Sequence, residues 1–309
     1  MKKIISSLLA LLMCTCLCLC MTACGGSKAD YTVGIVQLME HESLDKATKG
    51  FIEALTEELE AAGKTVEFDT QVAGEPNLCT TVVNTFTAKN VNLIMANATP
   101  ALLAAANATT NNQIPVVGTS VTDYNDTFAN NIPANVTGTS DGVPFDEQAK
   151  MMIETLNLKA GDQVGVLYCT NESNSVIQYN AVKALFESEG IVVKAYTFSE
   201  TTELQGIVNS AANESKAIYV PSDNTVADND AIVGTICNDK KVPVYTSYGG
   251  SVCYASLAID YYELGKVTGK MAADILLGKA TPSDLEVEYL TPTKSYNKDL
   301  CDLLGIEIE

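Results

Sequence analysis

The sequence predicts an α/β protein of two similar lobes, each built on a parallel sheet, with three chain crossings between the lobes that form a hinge. Three observations predict this. Residues 91–124 contain a short apolar strand, a polar turn that opens a helix, and a second apolar strand, an order typical of a parallel βαβ unit. Residues 217–250 repeat this order. The segments 32–37 (TVGIVQ) and 163–168 (QVGVLY) extend the repeat to the start of each lobe.

Apolar strands and amphipathic helices alternate through the first lobe. Phe51, Leu55 and Leu59 recur at four-residue steps on one helix face, and Gly63 follows where a helix ends. The elements predicted before the βαβ unit are a strand at 31–38, a helix at 44–62, a strand at 65–68 and a helix at 78–88.

The second lobe is predicted to follow the same order. Its further elements are a helix at 176–189, a strand at 191–196 and a helix at 202–212. The strand at 136–140 is predicted to cross from the first lobe to the second, residues 255–262 to cross back before a helix at 264–277, and the tail to cross again. The predicted first lobe is therefore 31–140 plus 255–284, and the second is 141–254 plus 285–309. Such a hinge closes around a ligand.

The composition is that of a globular protein and excludes two classes of partner. The chain has 309 residues, of which 47% are hydrophobic and 18% charged. Its formal net charge is -19, all its basic residues are lysines, and no basic cluster follows Lys2 and Lys3. So acidic a surface argues against binding to nucleic acid and against electrostatic binding to anionic lipid.

The first residues predict export from the cytoplasm. Lys2 and Lys3 precede an uncharged apolar run at 4–21, which is typical of a secretory signal peptide over residues 1–23. The sequence Met-Thr-Ala-Cys at 21–24 resembles a bacterial lipobox, with Met where Leu is usual. The resemblance implies cleavage before Cys24 and lipidation of its sulfur. A short polar linker is predicted at 24–30. Ordinary cleavage, which would release a soluble secreted protein, is the alternative.

The cysteines and the single histidine predict neither a metal site nor catalysis. Five cysteines belong to the signal segment, and the other five are scattered without C-x-x-C or Cys/His spacing: Cys79, Cys169, Cys237, Cys253 and Cys301. We expect them to be free and mostly buried. The chain has one histidine, no G-x-S-x-G motif, no phosphate-binding P-loop and no G-x-G-x-x-G after the first strand. We therefore predict no cofactor and no enzymatic activity.

Six motifs occur in the order in which one protein family carries them: GIVQLMEH at 34–41, ATP at 98–100, TSVTD at 119–123, VTGTSD at 136–141, YVPSDNTV at 219–226 and IDYYELG at 259–265. With them the chain resembles the substrate-binding lipoproteins of bacterial ABC importers, in particular the tryptophan/tyrosine group. The resemblance implies the type I periplasmic-binding fold of two Rossmann-like lobes, an aromatic amino acid ligand, and an ABC permease and its ATPase as partners. A sugar, a nucleoside or another small polar solute remains an alternative ligand, and a sensing receptor without a transport role an alternative function.

Polar residues at the carboxyl ends of the parallel strands predict the ligand site. In the first lobe these are Thr99, Ser120 and Asp123, and in the second lobe Asp223, Asn224 and Tyr248. Thr99 before Pro100 predicts a helix N-cap, and Ser222 or Asp223 has the same role in the second lobe. Two helix N-termini at the cleft would suit a ligand carboxylate.

The absence of arginine limits how that carboxylate can be bound. A bidentate arginine clamp is excluded, so we expect Thr99, Ser120 and Thr122 to bind it together with backbone N–H groups. A ligand ammonium would need a carboxylate partner, with Asp223 or Glu172 favoured over Glu40. Leu44, Tyr168 and Tyr248 are predicted to line an apolar side pocket. Four further residues complete the predicted ligand set: Gln37, His41, Asn174 and Ser175. His41 is equally well interpreted as a solvated or capping residue.

Overall fold

The computed structural model of the protein describes residues 28–111 and 113–308. The predicted signal peptide and the predicted lipidation of Cys24 lie outside these residues. Within the described part, no helix combines the length and the apolar character needed to span a membrane.

Twelve strands are described in chain order: β1 (Tyr31–Gln37), β2 (Val66–Val72), β3 (Leu93–Asn97), β4 (Val116–Val121), β5 (Val136–Ser140), β6 (Gln163–Cys169), β7 (Val192–Phe198), β8 (Ala217–Val220), β9 (Val244–Thr246), β10 (Ala255–Ala258), β11 (Glu288–Tyr289) and β12 (Thr293–Tyr296). The α-helices are α1 (Glu42–Ala61), α2 (Cys79–Lys89), α3 (Thr99–Thr109), α4 (Tyr124–Thr127), α5 (Phe145–Leu156), α6 (Ser173–Ser188), α7 (Thr201–Glu214), α8 (Asn224–Asp228), α9 (Asp230–Lys240), α10 (Tyr261–Leu276) and α11 (Lys298–Leu304). Short 3-10 helices cover Pro76–Leu78 and Pro282–Asp284.

The strands form two six-stranded sheets with the same strand order. The first sheet has the order β11-β5-β4-β3-β1-β2, and the second has the order β12-β10-β9-β8-β6-β7. The pairings are parallel except that β12 runs antiparallel to β10. The inner strands are buried along their length because helices cover both faces of each sheet. The predicted α/β fold of two Rossmann-like lobes is therefore confirmed.

The chain passes between the lobes three times, at 141–144, 259–260 and 290–292. After the first crossing, α5 joins the second lobe, where Gln148 donates to Ser247 Oγ at 2.9 Å. After the second crossing, α10 returns to the first lobe, where Thr268 and Thr139 share a hydroxyl hydrogen bond of 2.8 Å. Each lobe is thus completed by a helix that follows the other lobe's sheet. This exchange forms the predicted three-segment hinge.

Sheet membership differs from the lobe boundaries that we predicted. Ala255–Ala258 pairs with β9 and β12 in the second sheet, although we expected it in the first lobe. Glu288–Tyr289 pairs with β5 in the first sheet, although we expected it in the second lobe. The reason is that β5 and β10 are themselves inner strands, so each crossing begins only after its strand ends. Helix α5 was not predicted.

Helices α1 and α10 approach each other closely through glycines. A Cβ atom on Gly265 would overlap the carbonyl oxygen of Ala47, and one on Gly50 would overlap the carbonyl oxygen of Tyr262. These obstacles are backbone atoms, which cannot rotate away. The glycines therefore allow a helix contact that holds the start of α10, directly after the second crossing, against the first lobe.

We expect Gly265→Ala to lower the free energy of unfolding by about 2 kcal/mol, because overpacking against a fixed backbone forces the helices apart. The matched control is Gly206→Ala on α7, where a Cβ atom meets nothing within 4 Å. Greater helix propensity should make that variant more stable by up to about 1 kcal/mol. Urea unfolding measures both. Equal stabilisation by the two substitutions would contradict the close helix contact.

Candidate functional site

A small cavity lies between the two lobes. Its wall combines residues that follow strands of the first sheet, residues that follow strands of the second sheet, and residues of the crossings. They are His41, Leu44, Ser120, Thr122, Asp141, Asn174, Ser222, Asp223, Asn224, Ala227, Tyr248 and Tyr261. Eight of these were predicted as ligand residues: His41, Leu44, Ser120, Thr122, Asn174, Asp223, Asn224 and Tyr248.

The first-lobe side of the site has strained backbone and unsatisfied hydroxyl groups. Ala98 follows β3 with φ 91°, and Ser120 lies near the end of β4 with φ 55°; both values are unfavourable for residues with a Cβ atom. The hydroxyls of Thr99 and Ser120 are buried and have no hydrogen-bond partner among the described residues. Buried polar groups are normally paired, so unpaired ones beside a cavity indicate a place where a ligand supplies the partner.

Thr99 lies one position away from its predicted role. The structure places Ala98 at the N-cap of α3 and Thr99 at the first helical position, so the prediction that Thr99 caps the helix is wrong. The physical reason is the left-handed conformation of Ala98, which turns the chain out of β3 before Thr99. No side chain caps the start of α3. Its N-terminal dipole therefore remains available near the site.

In the second lobe, two buried carboxylates already saturate the start of α8. Glu172 Oε2 accepts hydrogen bonds from the backbone and side chain of Asn224 at 3.0 and 2.6 Å. Its Oε1 accepts from the backbone and hydroxyl of Thr225, both at 2.8 Å. Asp223 caps the same helix by accepting from the Val226 backbone at 2.9 Å. This helix start cannot bind a ligand carboxylate, contrary to the prediction of two helix N-termini at the cleft.

The other carboxylate oxygen of Asp223 is also hydrogen-bonded within the second lobe. Its Oδ2 accepts from the Cys169 backbone at 2.7 Å and from the Ser175 hydroxyl at 2.8 Å. Burial, together with the negative charge of Glu172, raises the pKa of Asp223 well above its usual range. Asp223 and Glu172, the two favoured partners for an ammonium group, therefore act first as structural acceptors.

Asp141 is the carboxylate that the structure leaves incompletely paired at the cavity. It lies at the first crossing, where its Oδ2 accepts from the hydroxyl of Tyr261 at 2.8 Å. Its Oδ1 is buried and has no partner among the described residues. Burial raises the pKa of Asp141 to about 6, against the effect of hydrogen bonds from Tyr261 and Thr122. Among the described residues no lysine lines the cavity.

Asp141 was absent from the predicted ligand set, although the sequence holds a signal for it. It directly follows a buried polar strand, Val136–Ser140, and polar residues in that position of a parallel sheet are the ones that face a ligand. The same reasoning had selected Ser120 and Asp223. Tyr261, the first residue of α10 directly after the second crossing, contacts Asp141 through its hydroxyl.

One hydrogen bond across the cavity joins the lobes. His41 Nε2 lies 3.2 Å from Asn224 Oδ1, and these residues belong to the first and second lobes. Burial lowers the pKa of His41, an effect opposed by the bond to Asn224 and by the charge of Glu172. A neutral imidazole that donates to Asn224 satisfies both observations. The lobes are therefore closed onto each other in this structure.

Seven predicted ligand residues do not line the cavity. Four of them belong to the first lobe. Gln37 bonds with Asp45 and Thr48, and Asp123 caps α4 by accepting from the Asp126 backbone. Glu40 is exposed, and Thr99 is buried without lining the cavity. In the second lobe, Glu172 and Ser175 belong to the α8 network. Tyr168 stacks on Tyr179 with ring centroids 5.1 Å apart. Its side chain packs into the second-lobe core because alternate residues of β6 face opposite sides of the sheet.

The remaining expectations concern metals and thiols. Cys79, Cys169, Cys237, Cys253 and Cys301 are all free and buried, as predicted. Across residues 28–111 and 113–308, no group of three or more His, Cys, Asp or Glu side chains could hold a metal ion.

Comparisons with known proteins show the family to which the chain belongs. Residues 32–309 match the family described as ABC transporter substrate binding protein. The chain is 34% identical over 291 residues to the tyrosine-binding protein of Clostridioides difficile (strain R20291), an alignment that covers 91% of this chain and 83% of that protein.

Two solved structures differ in how well they superpose. One is the ABC domain from Streptococcus pneumonia in complex with L-Trp, which is 31% identical, covers 91% of this chain and 96% of its own, and has a TM-score of 0.82. The other is the ligand-free, open structure of a substrate-binding protein with adhesive properties from Clostridium difficile. It is 30% identical, the alignment covers 90% of this chain and 96% of that chain, and the TM-score is 0.65. At almost equal identity, the better match to the ligand-bound protein agrees with the closed lobes. The chain therefore belongs to the ABC transporter substrate-binding protein family, whose members act outside the cytoplasm.

Proposed function

We propose that this protein captures a free aromatic amino acid in the cavity between its lobes and delivers it to an ABC permease and its ATPase, without catalysing a reaction. The observation that carries the proposal is the unpaired, buried Oδ1 of Asp141 in a cavity that no described lysine lines. A buried carboxylate without a cation is unfavourable, so the site favours a ligand that brings one. An amino acid ammonium group supplies that charge.

The opposite charge of an amino acid fits the first-lobe side of the site. We propose that Ser120 donates its hydroxyl to the ligand carboxylate, near the uncapped start of α3. Thr122 also lines the cavity, and its side chain opposes the effect of burial on the pKa of Asp141. Asn174 contributes an unpaired Oδ1 from the second lobe, which can accept from an ammonium group. The polar end of the ligand would thus contact both lobes, which favours their closure.

The aromatic part of the ligand is supported by the apolar wall and by the relatives. Leu44, Ala227 and Tyr248 line the cavity beside its polar groups. The similar proteins are a tyrosine-binding protein and a domain in complex with L-Trp. A neutral sugar or nucleoside would leave the charge of Asp141 unbalanced and is the less favoured ligand. A sensing role without transport would use the same site.

Ligand binding is tested by calorimetry and thermal shift on the chain that follows the signal segment. We expect tyrosine, tryptophan or phenylalanine to raise the melting temperature in a saturable way, because a ligand of the native state stabilises it. Tyramine, which lacks the carboxylate, and 4-hydroxyphenylpropionate, which lacks the ammonium group, should each bind at least about 100-fold more weakly. Saturable binding of a sugar or nucleoside, with no response to these amino acids, would contradict the proposal.

We also propose that Cys24 anchors the protein to the membrane through a lipid. The support is the Met-Thr-Ala-Cys sequence at 21–24 and the Gly-Gly-Ser that follows it. Mass spectrometry of the protein isolated from cells should show a mature N-terminus at Cys24 that carries a diacylglyceryl group. A mature protein without lipid, released into the medium, would contradict the anchor and leave ligand binding unaffected.

A further inference from the structure

A groove open to solvent continues from the cavity. The cavity and the groove share four wall residues: His41, Ala227, Tyr248 and Tyr261. Ser120, Thr122, Asp141 and Asn174 line only the cavity. The groove therefore adjoins the cavity along these four shared residues, and two of them, Ala227 and Tyr248, belong to its apolar wall.

Asp230, the first residue of α9, lines this groove next to the shared wall. The hydroxyl of Tyr248 donates to its Oδ1 at 2.7 Å. Gly249 and Gly250 have φ values of 81° and 97°, which bring the loop after Tyr248 over the carboxylate. A Cβ atom on Gly250 would lie 3.0 Å from Asp230 Oδ2. The loop thus holds Asp230 at one place in the groove.

The direction of a bound amino acid follows from where the charged groups lie. Its ammonium and carboxylate groups belong with Asp141 and Ser120 at the polar end. Its ring then points towards Leu44, Ala227 and Tyr248. A ring that extends along Tyr248 reaches the hydroxyl end of that side chain, where Asp230 lies in the groove.

We propose that Asp230, positioned by Tyr248, accepts a hydrogen bond from the ring of the ligand and so makes the protein select aromatic amino acids that carry a ring donor. A phenol O–H and an indole N–H are such donors, and the ring of phenylalanine has none. The inference rests on the proposed function, because it requires an aromatic amino acid in the cavity. It assigns to Asp230 a role in specificity that is separate from the binding of the charged end.

The expected difference in affinity between ligands with and without a ring donor follows from the chemistry of the Asp230 carboxylate. A carboxylate forms stronger hydrogen bonds than a neutral acceptor, and a ligand ring without a donor covers the Asp230 carboxylate without replacing a hydrogen bond from water. Asp230 is only partly buried, so some water can compensate. We therefore expect the Kd of tyrosine to be at least about tenfold below that of phenylalanine.

The first test uses the unmodified protein and three ligands in titration calorimetry: tyrosine, phenylalanine and O-methyltyrosine. O-methyltyrosine keeps the oxygen but cannot donate, so we expect it to bind at least about tenfold more weakly than tyrosine. Equal Kd values for all three, within twofold, would overturn the inference and leave the proposed function intact. Absence of binding by any aromatic amino acid would instead overturn the proposed function.

The second test uses Asp230→Ala with Asp228→Ala as its control. Asp228 is an exposed acid two residues away that lines neither the cavity nor the groove, so its removal changes the net charge equally. We expect Asp230→Ala to raise the Kd of tyrosine about tenfold, to change the Kd of phenylalanine less than twofold, and the control to change neither. An equal loss for both ligands would show a merely structural role. If Asp230→Ala does not fold, Tyr248→Phe should reduce the preference for tyrosine over phenylalanine.

Discussion

Asp141→Asn is expected to weaken the binding of an aromatic amino acid by about 100- to 1000-fold, the largest binding effect that we predict. The substitution keeps the shape of the side chain and can keep its contact with Tyr261. It removes the only carboxylate in the cavity wall that retains an unpaired buried oxygen among the described residues. Removal of one partner from a buried charge pair typically costs about 3–5 kcal/mol, because the other charge is left uncompensated.

The same substitution is expected to stabilise the ligand-free protein. Burial raises the pKa of Asp141 from 3.8 to about 6, so its contribution to stability is full below pH 3.8 and is lost as the pH rises through 6. At pH 7.5 the ionised group therefore destabilises the closed protein by up to about 3 kcal/mol, which the neutral amide avoids. Weaker binding together with a higher melting temperature separates this mechanism from misfolding.

The pH dependence of binding has a defined sign. A ligand ammonium favours the ionised carboxyl, so the pKa of Asp141 in the complex lies below its value of about 6 in the ligand-free protein. Affinity should be full above pH 6 and decrease as the pH falls below it. Titration calorimetry between pH 5 and pH 8 measures this. Asp239→Asn, at an exposed acid on α9, is the charge-matched control. Equal affinities of Asp141→Asn and this control would contradict the assignment.

Glu172→Ala is expected to lower the free energy of unfolding by about 4 kcal/mol, the largest stability effect that we predict. Its two oxygens accept four hydrogen bonds from Asn224 and Thr225. Each buried donor that is left without an acceptor costs about 1–3 kcal/mol. Loss of the charge that raises the pKa of Asp223 offsets part of this cost. The net effect remains large because the site is fully buried.

Urea unfolding at pH 7 measures that loss. Glu187→Ala is the control, on helix α6 that directly follows Glu172, since Glu187 is half exposed and pairs with Lys183 only at 4.0 Å. A surface pair of this kind contributes about 0–1 kcal/mol. The loss of unfolding free energy in Glu172→Gln should lie between those of Glu172→Ala and Glu187→Ala. The glutamine keeps one acceptor oxygen but turns its NH2 donor towards the remaining donors. A loss from Glu172→Ala no larger than from the control would show that α8 does not depend on this network.

The sequence alone determined the architecture, because the features that specify it are local. The strand–helix–strand pattern of residues 91–124 and its repetition at 217–250 predict parallel sheets in two lobes, and both sheets are present. Because the carboxyl ends of parallel strands meet at one edge, the polar residues that follow the strands could be selected in advance. Ser120, Asp223 and Asn224 were selected in this way, and all three line the cavity.

Only the tertiary structure decided which of the selected acids remains available for a ligand. The partners of Glu172 lie 52 and 53 residues away in the chain, and the hydroxyl that contacts Asp141 lies 120 residues away. A carboxylate that caps a helix and one with an unpaired oxygen look the same in sequence, since both are acids that follow a strand. The difference arises because the folded lobes bring donors to both oxygens of one carboxylate and to only one oxygen of the other. The buried carboxylate that caps a helix is therefore a structural hydrogen-bond acceptor. The buried carboxylate with an unpaired oxygen is available to a positively charged ligand group.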